Sequence, residues 1–325
     1  MRKINRELTS KLAPYIHGLV QEKKAMGFDY KAQEINLFQL DQYFAVNNID
    51  TPAYTKEMLD EWCERKPGEG PSGHVHRLCV LRALSKYINS MGISAYYPRE
   101  LPRTEITLPH ILTDDEIKAF FTVVDTYLPK INIAPFLRMS QEYKVLFRLL
   151  YTCGLRNSEA GHLPTKCIDL ENGILKITSK GNKTRLVYLS EDMLDLCKKY
   201  HKYISDELGF EPEYFFPGKN PNKPLRNTSI AAVFRKYWCM TDYAASCNNL
   251  PTPHDLRFTF ITHRINQWAL EGIDIDVMMP YLSRYVGHSS LQETYYYYHV
   301  SGELFEVIRS KDTTSAAVIP EVRYE

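Results

Sequence analysis

Two short stretches of alternating apolar and polar residues, 173–179 and 184–189, interrupt a chain in which helical patterns predominate. They read GILKITS and TRLVYL, and the residues between them include the pair Gly181–Asn182. Alternation with a period of two places the apolar side chains on one face of a strand, and a short turn of this type joins antiparallel neighbours. The pattern therefore predicts a mainly α-helical chain with a small β-hairpin, which is an α+β fold.

The first 95 residues show helical patterns. A loop rich in glycine and proline at 66–73 separates the last of four predicted helices from the others. Two prolines in the stretch 96–103 favour extended backbone and indicate a linker. We therefore expect a helical N-terminal domain with its linker over residues 1–105 and a second domain over residues 106–325. The four helices are predicted at about 9–26, 30–46, 55–65 and 74–91.

The second domain begins with a helix-capping signal. Thr113 is followed three residues later by Glu116, and this spacing allows each side chain to bind the backbone N–H group of the other residue. A later helix stops at Gly154, which places Arg156 on a turn before a further helix near Ser158. Rigid elements on both sides of the turn would hold the arginine in one orientation. Other helices are predicted at about 113–128, 140–153, 190–208 and 229–240.

The composition is that of a soluble globular protein. Of 325 residues, 44% are hydrophobic and 24% are charged, and no apolar run approaches the ~20 residues that cross a bilayer. Charged residues interrupt the N-terminal stretch, so we expect no signal peptide, no membrane partner and a cytoplasmic location. Seven cysteines without a Cys-x-x-Cys pair are typical of free thiols and predict no metal site. The net charge is only +1, so a surface that binds nucleic acid requires segregated charge.

Groups suited to phosphate chemistry concentrate in residues 253–300. His254 and Arg257 lie three apart, a Gly287–His288 pair follows, and a run of four tyrosines at 295–298 comes near the end of the segment. A guanidinium can hold two phosphate oxygens at once, and a tyrosine hydroxyl can attack phosphorus and form an ester. The segment is therefore suited to making and breaking a covalent link between protein and phosphate.

Two upstream motifs complete an ordered set. The motif Gly-Leu-Arg-x-Ser-Glu ends an apolar run at 154–159, and Ser-Lys-Gly-Asn-Lys-Thr-Arg occupies 179–185. With these motifs the chain closely resembles the tyrosine recombinase, or phage integrase, family over about residues 108–300.

Three features depart from the usual family pattern. Cys153 stands where Thr or Ser is common, and Phe258 stands where a second His usually follows the arginine. The interval between Arg257 and His288 is also longer than in compact members. None of these departures removes a catalytic residue type.

The resemblance implies a reaction and a set of catalytic residues. Members of the family cleave one DNA strand at a time through a 3′-phosphotyrosyl intermediate, without a cofactor or a metal ion. Tyr297 is the implied nucleophile because it lies nine positions after His288 and directly before a Tyr-His-Val ending. Spacing alone leaves Tyr295, Tyr296 and Tyr298 as alternatives. The other implied catalytic residues are Arg156, Lys180, His254, Arg257 and His288.

The resemblance also implies how the protein meets DNA. The N-terminal helices correspond to a core-binding, SAM-like domain that closes over one face of the duplex, while the catalytic domain covers the other. The implied partner is double-stranded DNA with inverted-repeat core sites, bound by a homodimer at each site and a homotetramer in synapsis, with accessory proteins as further partners. Integration or excision of a mobile element is the expected role, and phage integration, DNA inversion and chromosome-dimer resolution stay open as alternatives. Predicted DNA contacts are Arg77, Arg82, Lys86, Lys183 and Arg185.

Several alternatives stay open at the level of sequence. A strand-swivelling topoisomerase of type IB would share much of the catalytic set, and a DNA-binding regulator could keep the fold without catalysis. Glu159 either orients an arginine or favours a helix N-terminus. His254 and His288 could each bind a phosphate oxygen or help to remove the tyrosine proton. Residues 302–309 predict a short helix, and the tail after it either docks on a neighbouring protomer or frays.

Overall fold

A computed structural model divides this chain into two units, Met1–Thr107 and Leu108–Glu325. The predicted turn at Lys180 and the predicted C-terminal helix at 302–309 lie outside the described residues. No helix within the described ranges is both long and apolar enough to cross a membrane. The described residues are 7–103, 108–131, 133–179, 183–247 and 249–300, with side chains to residue 297.

The first unit is helical, and its helices follow the predicted order. They are α1 Ala13–Ala25, α2 Lys31–Val46, α3 Asp60–Cys63 and α4 Pro71–Ser90. Leu37, Phe44 and Leu84 are fully buried in its core. The third helix is shorter than predicted, because residues Glu57–Leu59 form a 3-10 turn and Glu64 takes an extended backbone. Arg77 donates to the backbone carbonyls of Trp62 and Glu64 at this end. This arginine therefore supplies N–H donors to carbonyls at the end of α3 and just after it.

The second unit packs helices around an aromatic core. Its helices are α5 Asp114–Thr126, α6 Ala134–Thr152, α7 Asn157–Gly161, α8 Glu191–Leu208, α9 Asn227–Trp238, α10 Pro253–Glu271, α11 Ile275–Val286 and α12 Gln292–Val300. Phe120, Phe147, Phe234 and Trp238 contact one another between α5, α6 and α9. A second apolar cluster, which includes Tyr297, joins α10, α11 and α12. The C-terminal helices are therefore held by a core of their own.

The predicted hairpin is confirmed as part of a three-stranded antiparallel sheet. Its strands are β1 Ile168–Asp169, β2 Ile174–Thr178 and β3 Thr184–Tyr188, in the order β1-β2-β3. Leu175 pairs with Val187, and both side chains are fully buried, so one face of the hairpin lies on the core. Strand β1 was not predicted, because two residues are too few to show a period.

The helix boundaries of the second unit agree with most predictions. The capping box is confirmed: Thr113 Oγ1 accepts from the Glu116 N–H, and Glu116 Oε2 accepts from the Thr113 N–H. Helix α6 begins at Ala134 rather than near 140, because Pro135 suits the first turn of a helix. Helix α7 begins at Asn157, next to its predicted start.

Two glycines permit the close approaches that place α6, α7 and α10. Gly154 follows α6 with φ +59°, and a Cβ atom there would lie 2.5 Å from Cδ1 of Phe260 on α10. Gly161 ends α7, and a Cβ atom there would lie 2.7 Å from the Leu225 carbonyl oxygen. Because real Cβ atoms do not approach so closely, both positions need glycine.

We expect Gly161→Ala to lower the free energy of unfolding by about 1–3 kcal/mol, because the added methyl group overpacks the contact between α7 and α9. Gly73→Ala is the matched control, since a Cβ atom there would meet only Glu69 Cγ, at 3.6 Å. Within helix α4 this second change should be neutral or stabilising by up to about 1 kcal/mol. Calorimetry of the full chain measures both, and an unchanged melting temperature for Gly161→Ala would contradict the packing argument.

Candidate active site

A cavity of about 560 Å³ contains five of the six predicted catalytic residues. Arg156, His254, Arg257, His288 and Tyr297 all line it, although they come from α10, α12 and the turns before α7 and after α11. Lys180 lies outside the described residues. The other residues that line the cavity are Phe258, Ser290, Gln292, Glu293 and Tyr296.

Arg156 is held at the start of α7. Its Nη1 donates to Glu159 Oε1 at 3.0 Å, and its Nη2 donates to the Gly287 carbonyl at 2.8 Å. The Arg156 N–H also donates to Glu159 Oε2, so this carboxylate caps the helix as well. With both ends of the guanidinium bound, the arginine presents a fixed orientation to the cavity.

Arg257 is the most deeply buried of these residues, at 1% exposure. Its Nη1 donates to the Gly154 carbonyl at 2.6 Å, and its Nη2 donates to the Val286 carbonyl at 2.8 Å. Burial, together with the charge of Arg156, lowers the pKa of Arg257 to about 10. The guanidinium therefore stays positively charged at neutral pH.

Three consecutive carbonyls at the end of α11 each bind a different arginine. The carbonyls of Tyr285, Val286 and Gly287 accept from Arg185 Nε, Arg257 Nη2 and Arg156 Nη2, each at 2.8 Å. The last carbonyls of a helix lack partners within the helix and form the negative end of its dipole. The end of α11 therefore aligns cations from β3, α10 and the start of α7 immediately before His288. We call this set of three hydrogen bonds the carbonyl triplet.

Glu159 is the anion that accompanies these cations. Its Oε1 and Oε2 accept from Arg185 Nη1 and Nη2 at 2.9 and 2.7 Å, and Ser179 Oγ donates to Oε1 at 2.8 Å. Burial alone would raise the pKa of Glu159, but the bonds and charge of Arg185 outweigh it and hold the pKa at about 2. Both roles considered for this residue are therefore present, since it orients arginines and also caps α7.

His288 is oriented by a residue that the sequence did not single out. Its Nδ1 lies 2.8 Å from Oγ1 of Thr294, which is fully buried on α12. The imidazole stacks on the Tyr297 ring with centroids 5.6 Å apart. Burial, with a smaller effect of Arg257, lowers the pKa of His288 to about 4, so the ring is neutral at neutral pH.

His254 and Phe258 line the cavity together with Tyr297. Their rings are in edge contact, with centroids 4.8 Å apart, and the Phe258 ring lies 5.0 Å from that of Tyr297. Burial, followed by the charge of Arg257, lowers the pKa of His254. Phe258, which stands where the family usually has a second His, therefore contributes an apolar contact rather than a polar one.

Of the four tyrosines, Tyr297 and Tyr295 have clearly different surroundings. Tyr297 is 5% exposed and lines the cavity, whereas the Tyr295 hydroxyl donates to Asp276 Oδ1 on α11 at 2.8 Å. Tyr296 is more exposed and also lines the cavity, and the Tyr298 side chain lies outside the described residues. Burial raises the pKa of Tyr297, and the charge of Arg257 opposes this effect. Tyr297 is therefore protonated at neutral pH.

The predicted DNA contacts of the second unit fall into two kinds. Lys183 is exposed and lines a groove of about 1950 Å³ that extends beside the cavity, together with Lys176, Arg264 and Arg284. Arg185 lines the same groove, but its side chain is 8% exposed and is bonded to Glu159. Lys183 is thus available for a phosphate, whereas Arg185 is engaged within the protein.

The first unit requires one correction. Arg77, predicted as a phosphate contact, is 2% exposed and donates to Glu69 and to two backbone carbonyls. Its guanidinium ties α4 to the segment after α3, so we exclude it from the DNA contacts. Arg82 is partly buried, with its guanidinium 4.9 Å from the centre of the Tyr97 ring, and Lys86 is exposed.

Outside the cavity, the described residues include one group with the spacing of metal ligands, formed by His110, Glu116 and Cys247. The His110 Nε2 atom lies 3.0 Å from Glu116 Oε1, and the other oxygen of Glu116 caps α5. The His110 and Glu116 side chains are thus already paired with one another or with the backbone. This group does not line the cavity.

Known proteins resemble this chain in sequence and in fold. The model of the phage integrase family matches residues 110–303. Tyrosine recombinase XerD of Vibrio vulnificus strain YJ016 is 28% identical over 243 residues, which cover 72% of each chain. Tyrosine recombinase XerA of Pyrococcus furiosus is 30% identical over 226 residues, which cover 69% of each chain.

Two solved structures share the fold. The XerH site-specific recombinase, in a post-cleavage complex with a palindromic difH substrate, has a TM-score of 0.61 at 20% identity over 86% of this chain and 78% of its own. The Tn1549 transposon integrase, in complex with circular intermediate DNA, has a TM-score of 0.61 at 18% identity over 91% of this chain and 98% of its own. The chain therefore belongs to the phage integrase family and is a site-specific tyrosine recombinase.

Proposed function

We propose that this recombinase cleaves one DNA strand at a time with the Tyr297 hydroxyl as nucleophile. The observation that carries the proposal is the cavity that holds the Tyr297 side chain, two guanidiniums and two imidazoles. Attack of the tyrosine oxygen on phosphorus forms a 3′-phosphotyrosyl ester and releases the 5′-oxygen of the DNA. Attack by the 5′-hydroxyl of a partner strand reverses the step. One phosphate ester replaces another, so rejoining needs no ATP.

Arg156 and Arg257 neutralise the charge that develops on the transferring phosphate. An arginine has five N–H donors, so each guanidinium keeps donors for phosphate oxygens after it has made its two hydrogen bonds within the protein. Because the carbonyls fix both groups before DNA arrives, little reorganisation is needed during the reaction. The same arrangement would favour the reverse step.

The two neutral imidazoles are suited to taking the tyrosine proton. Burial lowers the pKa of His254 and His288, so each ring keeps a nitrogen lone pair at neutral pH. His288 stacks directly on Tyr297, which favours it as the group next to the nucleophile. Lys180, which lies between β2 and β3 in the sequence, would protonate the leaving 5′-oxygen.

The DNA substrate is proposed to be a duplex with inverted-repeat core sites. One protomer binds each repeat, two form a dimer on the site, and two dimers form the synaptic tetramer, with accessory proteins as further partners. Lys183 and the basic groove residues would contact phosphates beside the cavity, and Arg82 and Lys86 would do so from the core-binding domain at residues 1–105. The likeness to a transposon integrase supports integration or excision of a mobile element as the role.

We expect Tyr297→Phe to form no covalent adduct on a nicked suicide substrate, because only the nucleophilic oxygen is lost. Its gel-shift affinity for the core site should stay within about threefold of the wild type, since the ring and its contacts remain. Tyr296→Phe is the matched control and should be captured normally. Capture of the first variant but not of the second would assign the nucleophile to Tyr296.

We expect Lys180→Ala to cleave a normal 5′-oxygen substrate slowly and to be rescued on a bridging 5′-phosphorothiolate, because a thiolate leaves without a proton. Single-turnover rates on the two substrates give the comparison. Tyr297→Phe is the control and should show no rescue. Equally slow cleavage of both substrates would indicate that Lys180 is a phosphate ligand. Cleavage of both at the wild-type rate would show that Lys180 is not part of the site.

The lowered pKa of His288 predicts how the free energy of unfolding depends on pH. The pKa of His288 is about 4 in the folded protein, below the ~6.5 of an unfolded chain. Between these values the unfolded chain binds more protons, so stability is full above pH ~6.5 and falls as the pH drops towards ~4. Between pH 7 and pH 5, the free energy of unfolding measured in urea should fall more for the wild type than for His288→Gln. An NMR titration midpoint of His288 near 6.5 would contradict this expectation.

A further inference from the structure

We propose that Arg185 is a positioning residue for DNA cleavage rather than a phosphate contact, and that it holds Arg156 and His288 in place through Glu159 and the carbonyl triplet. This inference rests on the proposed function, since it concerns the same phosphate site. Arg185 does not line the smaller cavity that holds the nucleophile. It would therefore act through other residues.

The contacts of Arg185 use every nitrogen of its guanidinium. Nε donates to the Tyr285 carbonyl at 2.8 Å, while Nη1 and Nη2 donate to the two carboxylate oxygens of Glu159. Nη1 also donates to Ser179 Oγ at 2.8 Å. A planar fork with several donors can make these bonds together, whereas the single ammonium of a lysine cannot reproduce their geometry.

Two short paths lead from Arg185 to Arg156. Glu159 Oε1 accepts from both arginines, at 2.9 and 3.0 Å, so it is shared between them. The second path runs along the backbone from the Tyr285 carbonyl to the Gly287 carbonyl, which binds Arg156. Loss of Arg185 would therefore loosen Arg156 from two directions.

The turn that carries His288 packs directly on the Arg185 guanidinium. Gly287 has φ +73°, and a Cβ atom there would lie 2.8 Å from Arg185 Nη1 and 3.1 Å from its Cζ. The residue after this glycine is His288, so the guanidinium is one wall of the turn that sets the imidazole. A smaller side chain at position 185 would leave this side of the turn without its packing contact.

The base of the hairpin that leads to Lys180 belongs to the same network. Arg185 lies on β3, and Ser179, which precedes Lys180, bonds both to Arg185 and to Glu159. The Ser179 N–H donates to the Lys183 carbonyl at 2.8 Å, which closes the hairpin at this level. Arg185 thus connects the hairpin, α7 and the end of α11.

The experiment compares DNA affinity with the rate of cleavage of bound DNA. A phosphate contact contributes ~0.9 to the slope of log K against log salt, and a positioning residue contributes nothing to that slope. For Arg185→Gln we expect an unchanged salt slope and a fall of ~10² or more in single-turnover covalent capture at saturating DNA, because misplacement of about 1 Å has this effect. Arg185→Lys should not restore capture.

Two further variants calibrate the salt slope. Lys183→Gln removes an exposed cation near Arg185 and should lower the slope by ~0.9. Lys199→Gln, on the exposed side of α8, should change neither the slope nor the capture rate. A slope lowered by ~0.9 in Arg185→Gln, with normal capture at saturation, would overturn the positioning role.

A double variant tests whether loss of capture comes from misfolding. Arg185→Gln leaves a buried carboxylate with fewer partners, whereas Arg185→Gln with Glu159→Gln removes both charges and is expected to fold. Capture by the double variant should stay low, and capture at the wild-type rate would overturn the inference. Absence of capture by the wild type would overturn the proposed function together with this role. Equal capture by the wild type and Arg185→Gln would overturn the positioning role alone.

Discussion

The carbonyl triplet is the interaction on which the active site depends. Three successive backbone oxygens at the end of α11 bind Arg185, Arg257 and Arg156, which come from three other elements of the second unit. Cations at this spacing repel one another, and the negative end of the helix dipole together with Glu159 offsets part of that repulsion. The protein thereby concentrates positive charge beside the cavity, although its net charge is only +1.

The same region also holds Tyr297 in place. Tyr297 packs in the apolar cluster of α10, α11 and α12, and it contacts the rings of His288 and Phe258. Thr294, one turn earlier on α12, bonds His288, so the helix that carries Tyr297 also orients the neighbouring imidazole. Displacement of α12 would therefore move Tyr297 and disturb the imidazole together.

The sequence was sufficient to predict much of this site, because the residues that face a phosphate must be of particular chemical types. The two arginines, two histidines and Tyr297 predicted from their motifs line one cavity, and the hairpin and the capping box at Thr113 are also present. Partners within the protein were harder to predict. The bonds of Arg185 to Glu159 and of Arg77 to the segment after α3 depend on how distant segments pack, which charge alone does not reveal. Thr294 had no distinguishing signal, because a threonine is common on a helix.

The use of main-chain acceptors has a consequence for how this protein can evolve. Replacement of the side chains of Tyr285 or Val286 cannot delete the oxygen atoms that hold Arg185 and Arg257, since every amino acid supplies the same carbonyl. Substitutions at these two positions therefore leave both acceptors in place. Gly154 and Gly287 are more constrained. Their carbonyl oxygens bind Arg257 and Arg156, and their positive φ angles restrict the residues that selection can accept.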